Sequence, residues 1–209
     1  MRPLPLARIT GIAAPLLRDN INTDVIIPSR EMKTVSRKGL AGGLFADWRY
    51  AAVNSRMPNP DFVLNCPRFA DATILIAGNN FGCGSSREHA AWALAEYGFK
   101  AVIAESFNPI FRGNAVLNGI VPVILPREWI DHIATQIAVS AETLCVTIDL
   151  DGMFVDAPGE PRLPFTLDEG ARAMLREGHD TIDLTLRHRD AITAFRDADK
   201  RERPWAYPE

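Results

Sequence analysis

The sequence has few cysteines, and their spacing matches no common pairing or clustering motif. Cys66, Cys83 and Cys145 are odd in number and widely spaced, and no C-x-x-C pair occurs. A disulfide framework and a metal or iron–sulfur site built by this chain alone are therefore not expected. The cysteine usage favours a reducing compartment, and we predict a cytoplasmic protein.

The sequence also lacks an excess of basic charge and a long uninterrupted apolar run. Its 23 basic and 26 acidic residues give a net charge of −3, which offers no electrostatic footprint for a polyanion. The apolar residues 1–17 are interrupted by Pro3, Pro5 and Pro15 and by arginines, so they form neither a signal-peptide core nor a membrane span. We expect no nucleic-acid partner and no membrane association.

What the sequence does contain is an alternation of short apolar runs with helical patterns. A hydrophobic content of 47% is enough for one sizeable core, and we expect a single domain over residues 1–209. The patterns predict an α/β fold, a layered sheet with flanking helices. Strands are predicted over 73–78, 100–106 and 119–126, and helices over 86–98 and 127–139.

The last third has a different character. Asp151 and Gly152 stand between two alternating segments, which predicts a β-hairpin. Polar amphipathic patterns over 167–178 and 189–200 predict surface helices.

The stretch "GNNFGCGSSREHA", residues 78–90, joins a predicted strand to a predicted helix. Ser85 followed by Glu88 fits a helix capping box, which is the purely structural interpretation. A cap needs one hydroxyl and no arginine, however, whereas Ser85, Ser86 and Arg87 stand together behind two glycines. Free amides at a helix start, together with an arginine, favour an anionic ligand, and the glycines would let it approach the backbone.

Common motifs for nucleotides and nucleophiles do not fit this stretch. A phosphate-binding loop would need a lysine, the G-x-G-x-x-G pattern fails at Arg87, and a G-x-S-x-G elbow lacks its second glycine. Cys83 is interpreted as a small packing residue and His89 as a hydrogen-bonding residue on the helix surface or at an interface.

The stretch "GNNFGCGSSREHA" and the residues that follow it, up to Phe107, resemble the small subunit of 3-isopropylmalate dehydratase, in the aconitase superfamily. The resemblance extends from "NINTDVIIPSR" (20–30) through "GGLFADWRY" (42–50), "NPDFVLN" (59–65) and "IFRGNAVLNGIVPV" (110–123) to "GHDTIDLTLRHRDAITAF" (178–195). It therefore covers nearly the whole chain and implies the aconitase-like swivelling β/β/α domain.

The resemblance implies a two-chain hydro-lyase. The partner large subunit would carry a [4Fe-4S] cluster, and the substrate would be a dicarboxylate, 2-isopropylmalate, isomerised to 3-isopropylmalate through 2-isopropylmaleate in leucine biosynthesis. Ser85 matches the catalytic serine, which acts as the base. Arg87 matches a substrate-binding arginine, whose planar fork suits a carboxylate, and Ser86 would hydrogen-bond the same carboxylate.

Three further residues are assigned through the resemblance. Asp24 matches an active-site aspartate, and Arg37 matches an arginine expected to bind a substrate carboxylate from the side opposite Arg87. Leu40 would lie near the alkyl branch of the substrate. The chain departs from the family pattern at Asn22, where aspartate is usual, and over 38–41, the region that senses the substrate side chain.

Two other functions stay open at this point. A sister hydro-lyase could act on citraconate and 2-methylmalate or another substituted malate with the same chemistry. A noncatalytic module could use the same loop merely to bind an anion. Turnover with a cluster-bearing partner distinguishes enzyme from module, and the ratio of rates on the two substrates distinguishes the enzymes.

Overall fold

The computed structural model describes residues 4–32, 36–84 and 87–207. In these ranges seven strands form one mixed sheet in the order β4-β3-β2-β1-β5-β6-β7. The strands are β1 (Arg8–Leu16), β2 (Ile74–Ala77), β3 (Ala101–Ala104), β4 (Val121–Ile124), β5 (Cys145–Asp149), β6 (Phe154–Asp156) and β7 (Leu163–Pro164).

The first half of the sheet is parallel. The second half of β1 pairs with β2, β2 with β3, and β3 with β4, all in parallel register. All four residues of β2 and all four of β3 are buried, as expected for short apolar runs covered on both faces. The predicted strands at 73–78, 100–106 and 119–126 are confirmed, and the carboxyl ends of β1 to β4 lie at one edge of the sheet.

The second half of the sheet is antiparallel. The first half of β1 pairs with β5, and β5 forms the predicted hairpin with β6. The turn is held by the Asp149 carboxylate, which accepts backbone N–H bonds from Asp151 at 2.9 Å and from Gly152 at 2.6 Å. The connection is longer than a two-residue turn, and its residue with positive φ is Met153, at 55°.

Helices cover the sheet, and further helices follow its last strand toward the C-terminus of the chain. They are α1 (Thr23–Ile26), α2 (Ala46–Arg49), α3 (His89–Tyr97), α4 (Pro109–Leu117), α5 (Arg127–Val139), α6 (Glu169–Glu177), α7 (Thr181–Leu186) and α8 (Arg189–Glu202). The helix predicted over 127–139 is α5, which buries Ile130, Ile133, Ala134 and Ile137, the spacing of one helical face. The predicted surface helices are α6 and α8. None of the fourteen residues of α8 is buried.

The start of α3 differs from the prediction. The helix begins at His89 with Glu88 as its N-cap, and the side chain of Glu88 makes no capping hydrogen bond. Glu88 Oε1 instead accepts from Trp92 Nε1 at 3.0 Å and from Asn118 Nδ2 at 3.1 Å. The predicted helix start at residue 86 is thus three residues too early, and the carboxylate of Glu88 binds Trp92 and Asn118. Ser85, the other residue of the possible capping box, lies outside the described residues.

Across the described ranges, no helix is long and apolar enough to cross a bilayer.

Candidate functional site

The site residues lie on loops at the carboxyl edge of the parallel strands. Residues 18–24 follow β1, residues 78–84 follow β2, and the two segments continue the pairing of their strands. Thr23 N–H donates to Cys83 O at 2.9 Å, and Asn22 and Cys83 form a parallel bridge. The N-terminal segment of the family pattern is thus bound directly to its central motif.

The loop after β3 holds the same motif from the other side. Phe81 N–H donates to Ser106 O at 3.0 Å, and Asn108 N–H donates to Phe81 O at 2.9 Å. Asn108 also caps α4, accepting from the second and third residues of that helix. Phe81 is fully buried against Phe111, with ring centroids 5.1 Å apart. The loops after β1, β2 and β3 are therefore hydrogen-bonded into one layer. This layer lies at the carboxyl edge of the parallel strands, where open α/β sheets commonly bind ligands.

Gly82 is required by packing within the chain. Its φ is +74°, and a Cβ added there would lie 2.1 Å from Cγ of Phe111. The sequence interpretation gave the glycines the role of admitting a ligand. At Gly82 the structure instead shows the backbone lying on an aromatic ring.

Arg87 and Asp24 form an ion pair, although 63 positions separate them in the sequence. One guanidinium nitrogen of Arg87 donates to Asp24 Oδ1, and the two side chains are 34% and 54% exposed. Asp24 is positioned by α1, whose N-cap Asn22 accepts from Val25 N at 2.8 Å. The asparagine that departs from the family pattern thus still caps this helix. A guanidinium has five donors in one plane, so it can hold Asp24 and a second carboxylate together.

Arg37 lies beside the start of α3. Its guanidinium carbon is 4.9 Å from the ring centroid of Trp92, and Nη2 is 3.8 Å from Glu88 Oε1. The side chain is 52% exposed. Because Glu88 follows Arg87 in the chain, the structure brings Arg37 to the same end of α3 as the Arg87–Asp24 pair.

Of the remaining predicted site residues, the structure describes only Leu40. Leu40 is 2% exposed and belongs to the hydrophobic core, so its side chain would reach a ligand only after the loop around it opened. Ser85 and Ser86 lie outside the described residues. Their assignments, like those of Arg87, Asp24, Arg37 and Leu40, stay predictions.

Sequence reasoning missed Glu96. Its carboxylate accepts backbone N–H bonds from Gly39, Leu40 and Ala41, more than fifty residues away. Burial opposes ionisation of this carboxyl, but the three hydrogen bonds outweigh burial and hold the pKa of Glu96 below its usual value. The available signal was the spacing of Glu88, Trp92 and Glu96 at successive i+4 positions on one helix face.

The described part of the chain contains no group of three His, Cys, Asp or Glu side chains placed to hold a metal ion. Cys66 and Cys83 are half-buried and Cys145 is exposed. The cysteines therefore do not form the ligand set of an iron–sulfur cluster within these ranges.

The mixed sheet and the loop layer at its edge define an aconitase-like C-terminal domain, and the aconitase C-terminal domain family matches residues 5–128. Residues 181–209, which contain α7 and α8, match a second family, the C-terminal domain of the 3-isopropylmalate dehydratase small subunit. The chain belongs to the family of 3-isopropylmalate dehydratase small subunits.

Relatives with that name match nearly the full length. The 3-isopropylmalate dehydratase small subunit of Cupriavidus necator is 53% identical over 207 residues, covering 99% of each chain. That of Delftia acidovorans is 44% identical over 202 residues, covering 93% of each. The crystal structure of 3-isopropylmalate dehydratase from Methanocaldococcus jannaschii matches with a TM-score of 0.61 and 28% identity, over 90% of this chain and 99% of that one. The family and the aconitase-like α/β fold predicted from the sequence are confirmed.

Proposed function

We propose that this chain is the small subunit of a 3-isopropylmalate dehydratase and that it acts with a large subunit. The assembled enzyme interconverts 2-isopropylmalate and 3-isopropylmalate through 2-isopropylmaleate, by loss and re-addition of water, in leucine biosynthesis. The observation that carries the proposal is the junction of Asp24 with Arg87, which joins two distant family segments at the carboxyl edge of the sheet.

Substrate binding is assigned to the two arginines at the start of α3. Arg87 takes one carboxylate of the substrate in bidentate fashion, and Ser86 donates to the same group. Arg37 takes the other carboxylate. The support is positional: Arg37 contacts Glu88, and Arg87 precedes Glu88 in the chain.

Proton transfer is assigned to Ser85. Its oxygen removes the proton from the carbon next to a substrate carboxylate and returns it in the second half-reaction. A serine is a weak base unless its alkoxide is stabilised. Arg87 and the positive end of α3 are the groups of this chain nearest to it in sequence that favour the anion.

The [4Fe-4S] cluster is assigned to the large subunit, as the family resemblance implies, and the wide spacing of the three cysteines in this sequence agrees with that assignment. Such a cluster supplies a Lewis acid for the departing hydroxyl group. This chain would bind the carboxylates, orient the carbon that loses its proton, and exclude water when it closes over the partner.

The test uses the two subunits assembled without oxygen. Ser85→Ala should lower kcat by ~10² to 10⁴, the range of a positioned general base, with little change in melting temperature. Ser86→Ala is the matched control, since it removes a neighbouring hydroxyl and should mainly raise KM. Near-normal turnover in Ser85→Ala would refute the assignment of the base. Turnover or stoichiometric iron in the isolated chain would refute its dependence on the partner.

A sister reaction on citraconate and 2-methylmalate is the second candidate. It is favoured by the departure from the family pattern at Lys38, Leu40 and Ala41. Measuring kcat/KM of the wild-type complex on both substrates decides between them. Anion binding without turnover in the complex would favour the noncatalytic module.

A further inference from the structure

The loop that carries Arg37 lies along one face of α3. Glu88, Trp92 and Glu96 are four residues apart on this helix, and each contacts the loop. Glu88 and Trp92 meet the Arg37 side chain, whereas Glu96 meets only the backbone that follows it. The helix that begins at the proposed site therefore also fixes the loop that supplies its second arginine.

Of the contacts between this loop and α3, those with Glu96 are the hydrogen-bonded ones. Three successive amides converge on its carboxylate, with Gly39 N at 2.6 Å from Oε1 and Ala41 N at 2.9 Å from Oε2. Successive backbone N–H groups that converge in this way form an anion-binding nest. Here the anion is a side chain of the same protein. Leu40, the middle residue of the three, is also buried in the core.

The contact with Arg37 is loose by comparison. Its Nη2 is 3.8 Å from Glu88 Oε1, beyond hydrogen-bonding distance, and its guanidinium lies over an aromatic ring in an exposed position. Arg37 is two residues before Gly39, the first of the three residues whose amides donate to Glu96. The loop is therefore fixed at 39–41, while the side chain that precedes this point is held weakly enough to exchange partners.

We propose that Glu96 is a positioning residue for substrate binding. By fixing the backbone of 39–41 it holds Arg37 at the start of α3, within reach of the carboxylate opposite Arg87. This inference rests on the proposed role of Arg37 as a ligand of the substrate.

The kinetic test compares variants of the complex with the large subunit. Glu96→Ala should raise KM for 2-isopropylmalate about tenfold and leave kcat within about twofold, because binding is weakened and proton transfer is not. Glu96→Gln keeps one amide oxygen as acceptor and should lie between wild type and alanine. Glu128→Ala, on the exposed first turn of α5, is the control and should leave KM unchanged.

The coupling to Arg37 separates this inference from the proposed function. If Arg37→Ala raises KM, Glu96→Ala should add less than about a further twofold in that background, since both changes act through one side chain. A raised KM in Arg37→Ala with a normal KM in Glu96→Ala would overturn the positioning role and leave the role of Arg37 intact. A normal KM in Arg37→Ala would overturn both.

The hydrogen bonds from the amides of Gly39, Leu40 and Ala41 to Glu96 can also be tested without measuring turnover. Hydrogen exchange of the Gly39, Leu40 and Ala41 amides in the complex should become at least about tenfold faster in Glu96→Ala and stay unchanged in Glu128→Ala. Unchanged exchange in Glu96→Ala would show that the carboxylate does not hold the loop and would overturn the inference.

Discussion

The close approach of Gly82 to Phe111 predicts how much stability a substitution in the loop layer would cost. In Gly82→Ala the new methyl group would lie 2.1 Å from Cγ and 2.5 Å from Cβ of Phe111. Neither atom is the end of a flexible side chain, because Phe111 is buried in α4 and its ring packs on Phe81. The clash can be relieved only by moving the turn or the helix.

Two costs add at this position. A non-glycine residue in the left-handed region costs about 1–2 kcal/mol. Forcing one more carbon into a close-packed core costs about 1–3 kcal/mol. Gly82→Ala should therefore lower the free energy of unfolding by about 2–5 kcal/mol, a large part of the stability of an ordinary domain.

The matched control is Gly39→Ala. Gly39 has a similar φ of +87°, but, apart from its two chain neighbours, no atom of the described chain lies within 4 Å of where its Cβ would be. It should lose only the left-handed cost of about 1–2 kcal/mol. Urea unfolding of the two variants and the wild type measures both losses. Equal losses would refute the argument that Phe111 supports the turn, because only the backbone cost would then remain.

Three other changes test particular contacts. Asn22→Ala should cost about 1 kcal/mol of stability through loss of the α1 cap to Val25, and Asn22→Asp should restore it, as urea unfolding will show. Leu40→Ala should cost about 2–5 kcal/mol in the same assay, because its side chain is 2% exposed; a loss below about 1 kcal/mol would contradict its core position. The pKa of Asp149 lies below its usual value, mainly because its carboxylate accepts the N–H bond from Gly152. The ionised carboxylate therefore adds to the free energy of unfolding above the ordinary pKa of about 3.9, and this addition is lost as pH falls through the lowered pKa. Acid unfolding of Asp149→Asn should lack this contribution, and an unchanged pH profile would contradict it.

The strands and α5 could be predicted because their signals are local. The runs "ILIA" and "AVIA" are apolar at every position, which suits a strand buried on both faces. The buried residues of α5 recur at helical spacing, so its bounds follow from the sequence. The hairpin follows in the same way from its turn residues.

The site could be predicted only in part, because its contacts are tertiary. The pattern S-x-x-E suggested that Glu88 caps its own helix, whereas its hydrogen bonds to Trp92 and Asn118 show that packing decided its orientation. The three amides that donate to Glu96 come from a loop more than fifty residues earlier. The i+4 spacing of Glu88, Trp92 and Glu96 marks one helix face, but it does not indicate which loop packs on that face. The family resemblance named Asp24, but only the fold places it against Arg87.

Under the substrate-binding roles proposed for Arg37 and Arg87, the ion pairs of these arginines explain why a partner would be needed for tight binding. In this chain Arg87 already contacts Asp24, and Arg37 lies 3.8 Å from Glu88, with all four side chains at least one third exposed. Exposed ion pairs contribute only about 0–1 kcal/mol, so a substrate carboxylate can replace or join Asp24 and Glu88 at little cost. For the same reason, the isolated chain should hold a dicarboxylate weakly. A large subunit that covers this edge would remove water from the arginines and strengthen each charge interaction, so substrate affinity should arise at the interface of the two subunits.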